Sequence, residues 1–296
     1  MAKKITFHSY KGGSGRSSTT YNTIPYLVDI LGADESHPVL LLDVDIDSAG
    51  LTYLLGTEEY FLQNNDVKKL LKGEIVFRPR ATSDLANHPL ISNFVPVGDQ
   101  FGVEKGAVLF LGVNDKMKID NKEIDGSSQD LLNRLAVFAD NNPAIKAIVM
   151  DSASGVQTVA NFATNFADTL VCCMRPTVQF RYGTRRFLEH LEHEQVSKRI
   201  VLLPTVVPTV DVEVDGVRQR EEALGQISAI ATKRRDSISV DDSFVKDDCF
   251  GINEVQRFKW CEGVLYKLER EGALKQEDEK LAASRYRKLA EVLSEE

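Results

Sequence analysis

His8-Ser9-Tyr10-Lys11-Gly12-Gly13-Ser14-Gly15-Arg16-Ser17-Ser18 follows the apolar run Ile5-Thr6-Phe7 and leads into a stretch with helical spacing. Strand, glycine-rich turn and helix together make an anion site. Glycines let the backbone take positive φ and approach a phosphate closely, while the first helical turn offers unpaired N–H groups at the positive end of its dipole. The hydroxyls of Ser17 and Ser18 come next and suit a hard cation. The pattern G-x-x-x-x-G-K-[ST] is met in part, because Tyr10 stands at the first glycine and Arg16 at the lysine.

Outward from this loop, residues 3–9 read as a central strand buried on both faces. Ile24, Leu27, Val28 and Leu31 recur at helical spacing and Gly32 stops the helix, with Pro25 an awkward interior residue. Val39 to Asp43 is a second buried strand, ending in Asp43, Asp45 and Asp47. These acids either face a site at the carboxyl end of the sheet or simply open a polar turn. Ala147 to Met150 is a further strong strand, running into Asp151-Ser152-Ala153-Ser154-Gly155. An apolar strand ending in aspartate beside a phosphate loop supplies a metal-side carboxylate.

The rest alternates strands and helices. From Leu51 to about Gly106 the pattern weakens, with short helices expected at 51–55 and 67–71 and a small strand at 91–97. Residues 56–106 are expected to be an insertion carrying partner or effector specificity. Strands are expected at 107–111, 169–174 and 199–207, the last at a sheet edge or ending early because of Pro204 and Pro208. Helices are expected at 128–139 and around Phe187, Leu188 and Leu191, and a hairpin over 210–220. A charged loop at 241–248 and a helical end at 255–296 complete the chain. The stripe Ala282, Tyr286, Leu289 and Leu293 is expected to pack on the protein's own core rather than on a membrane, since Glu291 to Glu296 would be repelled by anionic lipid.

At 296 residues and with no low-complexity linker, one domain is expected over 1–296. A net charge of −8 argues against a surface that coats nucleic acid or anionic membrane. Basic clusters stand at Arg181, Arg185 and Arg186 and at Lys233-Arg234-Arg235. Cys172-Cys173, Cys249 and Cys261 follow neither a metal spacing nor a disulfide framework, so a reducing cytoplasm is the expected location. No run approaches the roughly 20 apolar residues of a membrane span. Met1-Ala2-Lys3-Lys4 leads straight into the first strand, so no export signal is expected.

Lys11 to Ser18, Leu41-Leu42-Asp43-Val44-Asp45 and Ile148 to Gly155, in that order, resemble the deviant Walker ATPases of the ParA/MinD type. The Arg16 form resembles a variant branch whose loop reads K-G-G-x-G-R. The resemblance implies an α/β fold with a doubly wound, mostly parallel sheet flanked by helices. It implies bound ATP and Mg2+, and an ATP-dependent homodimer that closes around two nucleotides. Gly12, Gly13, Ser14, Gly15, Arg16, Ser17 and Ser18 would bind nucleotide. Ser17, Asp43 and Asp151 would serve the metal, Asp45 would orient or deprotonate water, and Lys11 would reach across the dimer to the partner's nucleotide. Arg16 would place a planar fork where the family has a compact lysine charge.

Two readings follow from the resemblance: an ATP-hydrolysing switch that signals to a protein partner, or a nucleotide-bound dimer scaffold with little hydrolysis. An iron–sulfur reductase is disfavoured because Cys172 and Cys173 fall inside a strand, and a tyrosine kinase because only Tyr286 lies near the end. No Asn at 204–208 reads a base, so ATP rests on resemblance alone. Nucleic-acid binding would need a dimer to gather Arg181, Arg185 and Arg186 into one patch.

Overall fold

The computed structural model describes residues 1–81, 84–116, 124, 128–156, 158–194, 197–207, 213–214, 217–233, 238–246 and 264–295. Ten strands are defined among them: β1 Lys3–His8, β2 Val39–Val44, β3 Val95–Pro96, β4 Val108–Leu111, β5 Ala147–Ser152, β6 Thr169–Met174, β7 Lys198–Pro204, β8 Glu213–Val214, β9 Val217–Arg218 and β10 Ile238–Asp241. The helices are α1 Arg16–Leu31, α2 Gly50–Leu54, α3 Glu58–Gln63, α4 Val67–Leu71, α5 Gly98–Phe101, α6 Ser128–Asn141, α7 Thr158–Phe166, α8 Val178–His193, α9 Gln219–Thr232, α10 Ser243–Lys246, α11 Val264–Arg270 and α12 Glu277–Ser294.

Eight strands form one sheet in the order β10-β7-β6-β1-β5-β2-β4-β3, parallel throughout except for β3 on β4. The apolar runs of β2 and β5 are buried along their whole length, as parallel strands covered on both faces must be. Side chains alternate between two cores. Leu170, Cys172 and Met174 of β6 join Ile200 and Leu202 of β7 beneath α8, whereas Val171, Cys173, Val201 and Leu203 face the core shared with α1. The two cysteines thus lie buried on opposite faces of the sheet, and burial pushes the Cys172 thiol up to about 12.

α1 runs through Pro25 and ends at Gly32, which takes φ 58 and donates its N–H to the Asp29 carbonyl. α12 lies along α1 and buries Ala282, Tyr286, Leu289 and Leu293, which places that stripe in the protein's own core. No described helix is long and apolar enough to cross a membrane.

Several elements depart from the sequence expectation. The small strand expected at 91–97 is a 3-10 turn, Ile91–Asn93, followed by the two-residue edge strand β3. β7 ends early, at Pro204, as one of the two expected alternatives has it, but it is not an edge strand: it lies between β6 and β10, and Pro204 is tolerated because it is the last residue of the ladder, opposite Met174. The charged loop expected from Asp241 is instead the end of strand β10 and the short helix α10. Ile238 and Val240 alternate with exposed or half-exposed neighbours there, a period-two signal too short to stand out. Within the hairpin expected at 210–220, β8 and β9 pair antiparallel and α9 begins at Gln219. Residues 208–212, 215–216, 247–263 and 296 lie outside the described residues, and with them Cys249, Cys261 and most of the helix expected at 255–268. Arg234 and Arg235 do so too.

Candidate functional site

The loop between β1 and α1 turns on two glycines in the left-handed region, Gly13 at φ 78 and Gly15 at φ 77, the latter opening α1. A methyl group on Gly12 would meet nothing within 4 Å, so the loop wall faces open space of the kind an anion fills. One contact within the loop and two to neighbouring strand ends hold it. Gly155 donates its N–H to the Ser9 carbonyl at 3.0 Å, Ser9 Oγ donates to the Lys11 carbonyl at 3.0 Å, and Thr205 Oγ1 donates to the Ser14 carbonyl at 2.5 Å. Val206, beside Thr205, takes φ 56, a strained conformation for a β-branched residue.

Tyr10 fills a specific role. A Cβ on Gly183 of α8 would lie 1.9 Å from the Tyr10 ring, so the ring sits directly on that helix backbone. The residue that breaks the loop pattern is therefore matched by a glycine far along the chain.

β2 and β5 run side by side with Asp43 opposite Asp151, which sets two carboxylates together at the sheet's carboxyl end. Asp43 accepts from the Thr52 N–H at 2.9 Å and Thr52 Oγ1 at 2.8 Å. Asp151 accepts from Ser17 Oγ at 2.5 Å and Arg16 Nε at 2.6 Å. Asp45 accepts from Arg16 Nη2 at 2.5 Å and Ser48 Oγ at 2.5 Å. Arg16, only 6% exposed, thus bridges two of the three acids and points into the protein. Asp47 is exposed and stays outside this cluster, the polar-turn outcome.

Burial, with Asp151 adding to it, pushes the Asp43 carboxyl up to about 7, and burial also raises Asp151 against the pull of Arg16 and Ser17. Burial works against the charge on Arg16 as well, but Asp151 and Asp45 outweigh it, so the guanidinium stays ionised. Asp43 has no cation of its own, and a divalent cation would favour its ionised form against burial. No three His, Cys, Asp or Glu side chains converge tightly enough among the described residues to enclose a metal by themselves. The donors brought together here, the Ser17 hydroxyl and the strand-end carboxylates, are oxygens of the kind a hard cation takes. His8 lies beneath the loop with Nδ1 on Ser152 Oγ at 3.0 Å, and burial followed by Arg16 holds it down to about 3, neutral.

Lys11 is separate from these groups: it is exposed and Nζ donates to Gln179 Oε1 of α8 at 3.0 Å. Ser18 is half-buried in the first turn of α1. Sequence reasoning passes over Thr52, Ser48 and Thr205, which orient the acids and the loop, and Arg175, whose guanidinium lies beside Gly13. Only Arg175 carried a signal: a cation at the end of the strand next to the loop strand.

No sequence-family profile matches the chain, and no curated protein matches it. Solved structures do. Apo McdA from Cyanothece is 16% identical over 98% of this chain and 99% of its own, with a TM-score of 0.63. MinD from Pyrococcus horikoshii, solved with Mg-ADP, is 16% identical over 99% of this chain and 96% of its own, with a TM-score of 0.56. A putative plasmid partition protein from Borrelia burgdorferi bound to AMPPNP is 15% identical over 98% and 100%, with a TM-score of 0.55. The chain thus has a doubly wound α/β P-loop NTPase fold. Within that class, its fold is that of the ParA/MinD-like ATPases.

Proposed function

We propose that the protein binds Mg2+-ATP at the Tyr10–Ser18 loop and acts as a nucleotide-driven switch. In this reading it dimerises around ATP, hydrolyses it and signals to a protein partner. The observation that carries the reading is that Ser17, Asp45 and Asp151 meet around Arg16 beside a glycine loop, with Asp43 opposite Asp151 on the next strand and the Ser14 carbonyl held by Thr205. Backbone N–H groups from Gly13 to Ser17 would cradle phosphate, the Ser17 hydroxyl would bind Mg2+, and Asp43 and Asp151 would hold the waters around it. Mg2+, when bound, neutralises phosphate charge and polarises the bond to be broken. Asp45 Oδ2 orients the attacking water, which requires it to give up the Arg16 pair. Lys11, on the surface, is free to leave Gln179 for a second copy's nucleotide.

One observation favours the second reading, a nucleotide-bound dimer with little turnover: Asp45, the water-orienting acid, is held by Arg16 at 2.5 Å. A carboxylate so paired is not free to orient water. ATP turnover and size-exclusion of the unmodified chain, Arg16→Lys, Lys11→Ala and Asp45→Ala separate the two. The switch reading expects turnover and ATP-dependent dimerisation lost with Lys11→Ala and turnover lost with Asp45→Ala. Dimerisation with ATP but turnover only in Arg16→Lys selects the scaffold. Equal hydrolysis by all four overturns the site.

A further inference from the structure

Two guanidinium groups flank the loop, and only one of them is engaged. Arg16 is committed to Asp45 and Asp151 on the β5 and β2 side of β1. Arg175 comes from the opposite side, as the first residue after β6, and its Nη2 lies 3.6 Å from where a Cβ on Gly13 would stand. Its Nε is buried with no hydrogen-bond partner, and no carboxylate among the described residues pairs with it. A desolvated guanidinium N–H without an acceptor is costly and is retained where a ligand completes it. Pro176 follows, which confines the Arg175 backbone to extended conformations and fixes where the fork starts.

We infer that Arg175 is a nucleotide-binding residue that grips the α- or β-phosphate of the bound nucleoside polyphosphate from the β6 side of the loop. This rests on the nucleotide reading above. The side follows from geometry: the phosphoryl group to be transferred must lie toward Asp45, so a cation across β1 meets the phosphates that stay on the product. A planar fork pairs bidentately with phosphate oxygens. Arg175 therefore strengthens ATP and ADP alike.

The test uses the full chain, Arg175→Met and Arg175→Lys, with Mg-ADP and Mg-ATP binding by calorimetry, ATP turnover, and thermal unfolding with and without nucleotide. Arg175→Met is expected to weaken ADP and ATP equally, by roughly tenfold to a hundredfold as for a charge-assisted hydrogen bond. KM rises in step while kcat at saturation changes little. Without nucleotide its melting temperature is unchanged or raised, because an unpaired buried N–H has been removed, and the nucleotide-induced rise shrinks. Arg175→Lys recovers part of the affinity. Unaltered ADP binding in Arg175→Met, or a lowered melting temperature with binding intact, overturns the inference and leaves the nucleotide reading standing. Loss of ATP but not ADP binding overturns the α/β assignment. Absence of nucleotide binding in the unmodified chain overturns both.

Discussion

The two ends of the one sheet handle charge in opposite ways. At the amino end, Lys4 pairs with Asp140 at 3.0 Å and Asp168 at 3.7 Å, and Lys198 Nζ donates to the backbone carbonyls of Asn165 and Ala167. Each cation there is neutralised or solvated where it stands. At the carboxyl end Arg16 must serve two acids while Asp43 is left to hydroxyl and amide donors, so negative charge is in surplus. A cleft of about 590 Å³ lies at the amino end, lined by Lys4, Asn161, Asp168 and His190 among others. A crowded set of buried acids sharing one guanidinium sets the carboxyl end apart, and that is the end where the proposed site lies.

The largest expected break in this contrast is Arg16→Met. It leaves Asp45 and Asp151 buried without a cation and is expected to cost about 3–5 kcal/mol in urea unfolding; Arg16→Lys keeps the charge and costs less. A loss below about 1 kcal/mol would show that the cluster does not depend on Arg16.

At the other end the expected signal is in pH. Burial lowers Lys198 to about 8, so between pH 8 and its unfolded value near 10.5 the unfolded chain holds more of that proton than the folded one. Stability therefore rises with pH across that window, by at most ~3 kcal/mol before screening. Lys198→Met is expected to flatten the rise in pH-dependent unfolding curves.

Gly183→Ala forces the Tyr10 ring from its seat and is expected to cost about 1–3 kcal/mol, with weaker nucleotide binding as the loop shifts. Thr205→Val removes the donor to the Ser14 carbonyl. The expected cost is about 1 kcal/mol, read as a lowered melting temperature. No change on Thr205→Val would mean that the β7 side does not hold the loop.

The central strands, the loop and the acids at 43, 45 and 151 were legible because parallel strands buried on both faces read as unbroken apolar runs ending at a site. α4 at Val67–Leu71 matched its expected bounds for a related reason, since Val67, Leu70 and Leu71 are all buried. β10, half-exposed at the sheet margin, had no such contrast, and α9 buries only Leu224 and Ile227. The inward turn of Arg16 was not legible at all. It depends on acids 29 and 135 residues away in sequence, which only the folded sheet brings within reach. Tyr10 read as a defect in a motif until Gly183 supplied its complement.

The strand order also sets a timetable. β1 is made first, yet its neighbours are β5 and β6, beginning at Ala147 and Thr169. At about 5–20 residues per second on the ribosome, β1 waits roughly ten to thirty seconds for a partner strand. The first strand to be synthesised thus waits for about half of the chain before it has a neighbour. A chain halted before residue 147 carries the whole loop between β1 and α1 but neither of the strands that flank β1.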